Sequence, residues 1–246
     1  MLMFQVVALV LAQWFTVTLP NTPRMPDGKA NLTAPAPKTP DGKTDLSGIW
    51  RVGPGGYLLN IAKDLGEAPF QPWAAALYKA RADGLGKGRP SEFCIPHGIP
   101  DGMLVRNSPF KIVQTRDVVV VLYEEFNHFR QIFTDGRGLP PETTESWFGY
   151  SVGKWDNDTL VAETIGFNDK SWFDDPGHPH SDALRVTERF RRRDFGHLDI
   201  GMTYDDPKMY ARPFTISISH HLLADDDIFE MFSENEKDCA HIVTKK

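Results

Sequence analysis

Residues 147–167, WFGYSVGKWDNDTLVAETIGF, decide the fold class. Two apolar-rich runs of strand length flank Asp156-Asn157-Asp158, and residues of these types favour a tight turn. Two such runs joined by a short polar turn are typical of a β-hairpin. The chain is therefore expected to form an antiparallel sheet at this point.

Short runs rich in β-branched and aromatic residues continue on both sides of this hairpin. They are GIWRV, YLLNI, FKIVQ, VVVVLYEE, HFRQIF, ALRVTERFRRR, HLDIGMTY, FTISISHHLL and IFEMFSE, separated by turn signals such as those at residues 115–117, 194–196 and 224–226. The total is about ten strands, close to what a closed, ligand-holding barrel needs. Open sheets of this size leave exposed edges that invite aggregation. The pattern predicts a mainly β protein, an antiparallel meander closed into a barrel.

One segment favours a helix instead. Residues 71–83 contain Trp73, Leu77 and a run of alanines, and Gly84 and Gly86 follow them. Pro72 suits the first helical position, where the missing N–H costs no hydrogen bond. The sequence therefore predicts one short helix near residues 71–83.

The chain of 246 residues divides into three parts. Residues 1–20 hold an apolar run and no acidic residue, as in a signal peptide, which predicts a secreted or periplasmic protein without a stable membrane span after export. Residues 21–44 are rich in Pro and Gly and repeat the motif Pro-Asp-Gly-Lys, which predicts a linker. Residues 45–246 are expected to form a single barrel-like domain.

The composition excludes some function classes. The net charge of −6 argues against a dedicated nucleic-acid binder. The chain has no nucleotide-binding glycine motif and no serine-hydrolase elbow, so we predict no cofactor. Its two cysteines, Cys94 and Cys239, lack zinc-site spacing; a single disulfide and two unrelated thiols both stay open.

Two resemblances add to this picture. Gly48-Ile49-Trp50 resembles the G-x-W entry strand of lipocalins and their calycin relatives. That resemblance implies a tryptophan that plugs one barrel end, often under an arginine from a late strand. The stretches TPDGKTDLSGIW, FRQIFTDGR, GYSVGKWDNDTLVAET and HSDALRVTERFRRRD resemble an uncharacterised family of exported bacterial proteins, over most of residues 38–236. This second resemblance implies export and no mechanism.

Strand alternation predicts four polar side chains that point into the barrel. They share a face with apolar neighbours in their strands: Tyr150, Glu163, Glu188 and His220. A buried polar group needs a hydrogen-bond partner, a counter-charge or a ligand. If these groups converge, they form a mostly apolar pocket with a few polar contacts, as ligand sites do. Internal bridges to Arg or Tyr are the structural alternative.

The loop DDPGHPHSD places His178 and His180 two residues apart. Three interpretations stay open: a metal site, which paired imidazoles on one side would favour; proton shuttles at a pocket mouth; and a polar loop whose histidines cap neighbouring groups. Pro179 favours an extended turn over a ladder position. We therefore assign no metal ligand here.

The first functional hypothesis is an exported barrel that binds a small apolar or aromatic ligand in an internal pocket. The residues expected to contact that ligand are His220, Trp147, Trp155, Phe190 and Phe214. The alternative is a cofactor-independent acid/base enzyme, a lyase, isomerase, cyclase or hydrolase, whose catalytic groups would be Glu188, Glu163, His178, His180 and Tyr150. A third hypothesis is an envelope interaction protein that uses the arginine-rich face of residues 185–193. The sequence leaves open whether the protein is an enzyme, which ligand it binds and which oligomer it forms.

Overall fold

A computed structural model describes residues 17–53, 60–93, 95–105 and 108–230 of the chain. These residues form one closed barrel in which nine strands follow each other in chain order. The strands are β1 (Gly48–Val52), β2 (Phe110–Gln114), β3 (Val118–Tyr123), β4 (His128–Phe133), β5 (Tyr150–Asp156), β6 (Thr159–Ile165), β7 (Arg185–Asp194), β8 (His197–Asp205) and β9 (Phe214–Leu222). The prediction of a mainly β, closed barrel is confirmed.

The strand pairing departs from a pure meander at one place. All neighbouring strands pair antiparallel, including β1 with β9 at the closure, except β4 and β5, which run parallel. That pair is also the shortest, since it joins only Ile132 to Ser151 and Phe133 to Val152. Among the runs expected to be strands, YLLNI and IFEMFSE lie largely outside the described residues. The parts of them that are described form no strand.

In the described ranges, five short helical segments lie in the connections between strands. They are the helices α1 (Pro72–Asp83) and α2 (Asp101–Leu104) and three 3-10 turns, Lys63–Leu65, Pro90–Phe93 and Glu125–Asn127. Helix α1 confirms the predicted helix, and Pro72 is its first residue, where a proline lacks no intrahelical bond. None of these helices is long and apolar enough to cross a membrane.

Trp50 belongs to the buried core of the barrel. Its side chain is fully buried, and its indole N–H donates to the Leu46 carbonyl at 3.0 Å. The guanidinium of Arg192, on β7, lies 5.0 Å from the Trp50 ring centre. Arg192 also donates to the carbonyls of Asp45 at 2.7 Å and Ser47 at 3.1 Å. Trp50 and Arg192 thus link β1, β7 and the segment before β1.

The Pro/Gly-rich segment before β1 packs along the barrel. The amides of Phe195 and Gly196, in the β7–β8 turn, donate to the carbonyls of Ala34 at 2.7 Å and Leu32 at 2.8 Å. Arg24 forms a salt bridge with Asp225. Residues 1–16 of the predicted signal peptide, and both cysteines, lie outside the described residues.

Candidate functional site, a cleft in the barrel wall

A cleft opens between β4 and β5 because the chain bends away from β4 at Gly149. Gly149 has a φ of +64°, in the left-handed region. A Cβ on it would lie 2.6 Å from the Ile165 carbonyl oxygen, so only glycine fits without strain. Three residues earlier, Ser146 pairs with the residue that follows β6 and not with β4: its amide donates to the Gly166 carbonyl at 2.9 Å. The β4–β5 ladder therefore ends after two residue pairs.

The resulting cleft has a volume of about 440 Å³ and is open to solvent. That volume lies within the range of about 300–1,000 Å³ that is usual for small-molecule sites. Its walls come from residues 127–131, Phe133 and residues 146–151, and their aromatic members are Phe129, Phe133, Trp147, Phe148 and Tyr150. Phe129 is 63% exposed, which is unusual for a phenylalanine in the middle of a strand.

Arg137 holds one end of the cleft in place. Its guanidinium lies 4.0 Å from the centre of the Phe133 ring and donates to the Tyr150 hydroxyl at 3.2 Å. Its charge is balanced by Asp135 at 2.6 Å. The two aromatic rings at this end thus share one cation, which fixes their relative position.

The floor of the cleft is Arg130, and a buried polar network lies behind it. Arg130 donates to both carboxylate oxygens of Glu188, with one bond at 3.0 Å. It also donates to the Ser151 hydroxyl at 3.1 Å and the Thr164 hydroxyl at 2.8 Å. The Arg130 and Glu188 side chains are 1% and 0% exposed. This network spans β4 to β7 across the inside of the barrel.

The network keeps both charges in the protein interior. Burial by itself lowers the pKa of Arg130, but the charge and hydrogen bonds of Glu188 offset this, so the pKa lies above its usual value. Nearby, burial raises the pKa of Tyr123, and the positive charge of Arg130 opposes that rise. The Tyr123 ring stacks on Phe148 of the cleft at 4.8 Å. The cleft floor is therefore polar but carries no net charge.

Three of the ten predicted site residues belong to this region. Trp147 and Tyr150 line the cleft, and Glu188 lies behind its floor through Arg130. Glu188 is inward, as predicted, and is held by an internal bridge to an arginine. Tyr150 faces the outside of β5, and its ring packs on Phe133 at 5.4 Å. The predicted inward orientation of Tyr150 is wrong.

The predicted inward orientation of Glu163 is also wrong, since its side chain is exposed. In β6 the inward positions are Leu160, Ala162 and Thr164, which are buried. The misassignment arose because Val161 and Ile165, on the outer face, are more apolar than the small inward residues. Glu163 and Glu188 thus lie on opposite faces of the sheet, and no acid/base pair is formed between them.

His178 and His180 are both buried and do not converge on one ligand. The Nδ1 atom of His178 lies 2.8 Å from Asp174, and its ring packs on Tyr78 at 4.2 Å. The Nε2 atom of His180 lies 2.8 Å from the Ser171 hydroxyl, and burial lowers its pKa to about 4. No cluster of three or more His, Cys, Asp or Glu suited to a metal occurs in the described ranges. Neither histidine lines the cleft.

The remaining predicted ligand contacts lie in or against the core. Phe190, Phe214 and His220 are buried there, and Trp155 packs against the same core from a partly buried position. The N–H of the His220 ring donates to the Met103 carbonyl at 3.2 Å, and burial lowers its pKa to about 4. Buried apolar side chains and the Arg130 network occupy the barrel interior. The cleft described here lies in the barrel wall, whereas the sequence predicted a pocket in the interior.

Sequence reasoning missed Arg130, Ser151 and Thr164. One signal was present: in HFRQIF, Arg130 shares a strand face with Ile132, which predicts an inward arginine. On the arginine-rich face of β7, Arg185, Arg189, Arg191 and Arg193 are exposed. Two of these four already have acidic partners, Asp156 for Arg189 and Asp199 for Arg193.

The arrangement as a whole is suited to recognition. Aromatic faces can stack on a ligand, the polar floor is neutral, and the one interior carboxylate that sequence analysis singled out is fully engaged by Arg130. Comparisons of the chain with protein-family models, with curated proteins and with solved structures find no match.

Proposed function

We propose that this protein binds a small, flat, largely aromatic molecule in the cleft between β4 and β5. The single observation that carries the proposal is the opening of the barrel wall at Gly149, which leaves an aromatic-lined cleft of about 440 Å³. Aromatic side chains bind flat apolar molecules by stacking and by burial of apolar surface. The ligand would thus replace the missing part of the wall.

The charges around the cleft favour an uncharged ligand. Among the described residues that line it, Arg130 is the one permanent cation, and Glu188 neutralises it. Arg137, at the rim, is neutralised by Asp135. A charged ligand would have to lose its hydration shell without gaining an unpaired counter-charge, which is costly.

Titration with naphthalene, followed by calorimetry and by tryptophan fluorescence, tests the proposal. We expect saturable binding, weakened about tenfold in Trp147→Ala because one stacking face is lost. Trp73→Ala is the matched control, since Trp73 is 52% exposed on α1 and does not line the cleft. The proposal fails if naphthalene does not bind, or if both variants bind it as tightly as the native protein.

We also propose that the protein is exported to the periplasm or the medium. The support is the apolar run within residues 1–20. Cell fractionation with mass spectrometry of the mature N-terminus tests this. A cytoplasmic protein that keeps its apolar N-terminal run would contradict it.

A further inference from the structure

The cleft exposes a strand edge as well as aromatic faces. β3 and β4 pair along all of β4, from His128 to Phe133. In an antiparallel ladder, alternate residues direct their backbone groups toward a given neighbouring strand. The Thr134 amide donates to the Asp117 carbonyl of the β3 side at 2.8 Å. Because Thr134 bonds to β3, every second residue before it does so too, so residues 132, 130 and 128 direct their backbone groups toward β3.

The intervening residues, Phe129, Gln131 and Phe133, therefore direct their backbone groups toward β5. The two-pair ladder with β5 engages Phe133 and the Gln131 carbonyl. No hydrogen bond from a described residue reaches the Phe129 N–H, the Phe129 carbonyl or the Gln131 N–H. These groups form a free edge of two donors and one acceptor along the wall of the cleft.

We infer that the ligand of the cleft is a flat aromatic lactam, whose N–H and C=O pair with this edge. The inference rests on the proposed function and names its ligand class. A lactam ring holds its amide cis, so its donor and its acceptor point to the same side and can take the place of the missing β5 partner. Its ring would lie among the aromatic side chains, with Phe129 and Trp147 nearest the opening.

The edge also distinguishes this ligand class from a purely apolar one. A hydrocarbon that covers the edge removes water from the three backbone groups and gives them nothing in return. A lactam of the same shape restores two of those hydrogen bonds. The site should therefore prefer the lactam over a ligand of equal size without an N–H.

Calorimetric titration with carbostyril, an aromatic lactam, and with its N-methyl derivative tests the inference. The two probes share ring and carbonyl and differ in the N–H. We expect carbostyril to bind about tenfold more tightly, the effect of the one hydrogen bond that its N–H adds. Equal binding of the two probes overturns the inference while the proposed function stands. If neither probe nor naphthalene binds, the proposed function fails as well.

A pair of variants at one position tests the role of the edge itself. Phe129→Pro removes the N–H that faces the cleft and leaves the ladder with β3 intact, whereas Phe129→Ala keeps that N–H. The carbonyl that both probes carry would accept from this N–H, so both probes should bind the proline variant more weakly than the alanine variant. Equal binding of carbostyril to folded Phe129→Pro and Phe129→Ala proteins contradicts that contact. The comparison of the two probes on the native protein decides the matter if that variant does not fold.

Discussion

Arg130 and Glu188 are the residues on which the cleft floor depends. A buried ion pair rarely adds much net stability, but removal of one partner leaves an uncompensated charge in the interior. The pair is anchored further by Ser151 and Thr164, whose hydroxyls lie 2.9 Å apart. This arrangement holds β4, β5, β6 and β7 at a fixed spacing beneath the cleft.

Arg130→Met should therefore lower the free energy of unfolding by about 3–5 kcal/mol. The double variant Arg130→Met/Glu188→Leu should recover most of that loss, because no charge then stays buried. Urea denaturation of both proteins measures the two values. A single variant that costs less than about 1 kcal/mol, or a double variant no more stable than the single one, would contradict this account of the floor.

Gly149 is the residue that opens the wall. Gly149→Ala should cost about 1–3 kcal/mol, since its φ of +64° and the nearby Ile165 carbonyl leave no unstrained place for a Cβ. Gly138→Ala is the control, because a Cβ on Gly138 meets nothing within 4 Å. Thermal unfolding of the two variants should separate them clearly. Equal stability would show that Gly149 is under no strain.

At the scale of elements, β7 connects the cleft floor to the surroundings of Trp50. Inward residues along this strand include Glu188, Phe190 and Arg192, and all three are buried. Arg192 ties the end of β7 to the segment before β1 through the carbonyls of Asp45 and Ser47. Burial lowers its pKa to about 10, which still leaves it charged at neutral pH.

Arg192→Leu should destabilise the protein by about 2–4 kcal/mol, because it leaves buried carbonyls unpaired and removes the cation over Trp50. Arg191→Leu, one residue away on the exposed face, should change stability by about 0.5 kcal/mol or less. Chemical denaturation measures both. A similar loss in the two variants would mean that the contact with Trp50 adds nothing.

How much of each element could be predicted depended on the contrast between its faces. The β5–β6 hairpin and helix α1 followed directly from turn residues and from Pro72. Glu188 was assigned correctly because Val186 and Phe190 flank it on a clearly apolar face. Glu163 was not, since small residues such as Ala162 and Thr164 fill the narrow interior there and Val161 faces outward. The cleft itself depends on a backbone angle at Gly149, which periodicity does not encode.

For the whole molecule, buried histidines couple stability to pH. Burial lowers the pKa values of His180 and His220 from 6.5 to about 4. In the unfolded chain both rings gain protons below about pH 6.5, while the folded protein keeps them neutral until about pH 4. The unfolded state thus binds more protons in this window, and stability falls as the pH falls.

The free energy of unfolding should be steady above about pH 6.5 and should drop by up to about 3 kcal/mol per histidine toward pH 4. His220→Leu should remove roughly half of this histidine-dependent drop. Urea unfolding of both proteins at a series of pH values measures the effect. If the free energy of unfolding depends on pH equally in the native protein and the variant, His220 makes no contribution.

In the part of the chain that the structure describes, the barrel wall opens between β4 and β5. The most direct test is an NMR titration of the isotope-labelled protein with naphthalene, in which each assigned amide reports contact with the ligand. The account predicts shift changes confined to residues 127–133 and 146–151, around the cleft. Shift changes centred on Phe190, Phe214 and His220 in the barrel interior, or none at all, would contradict it.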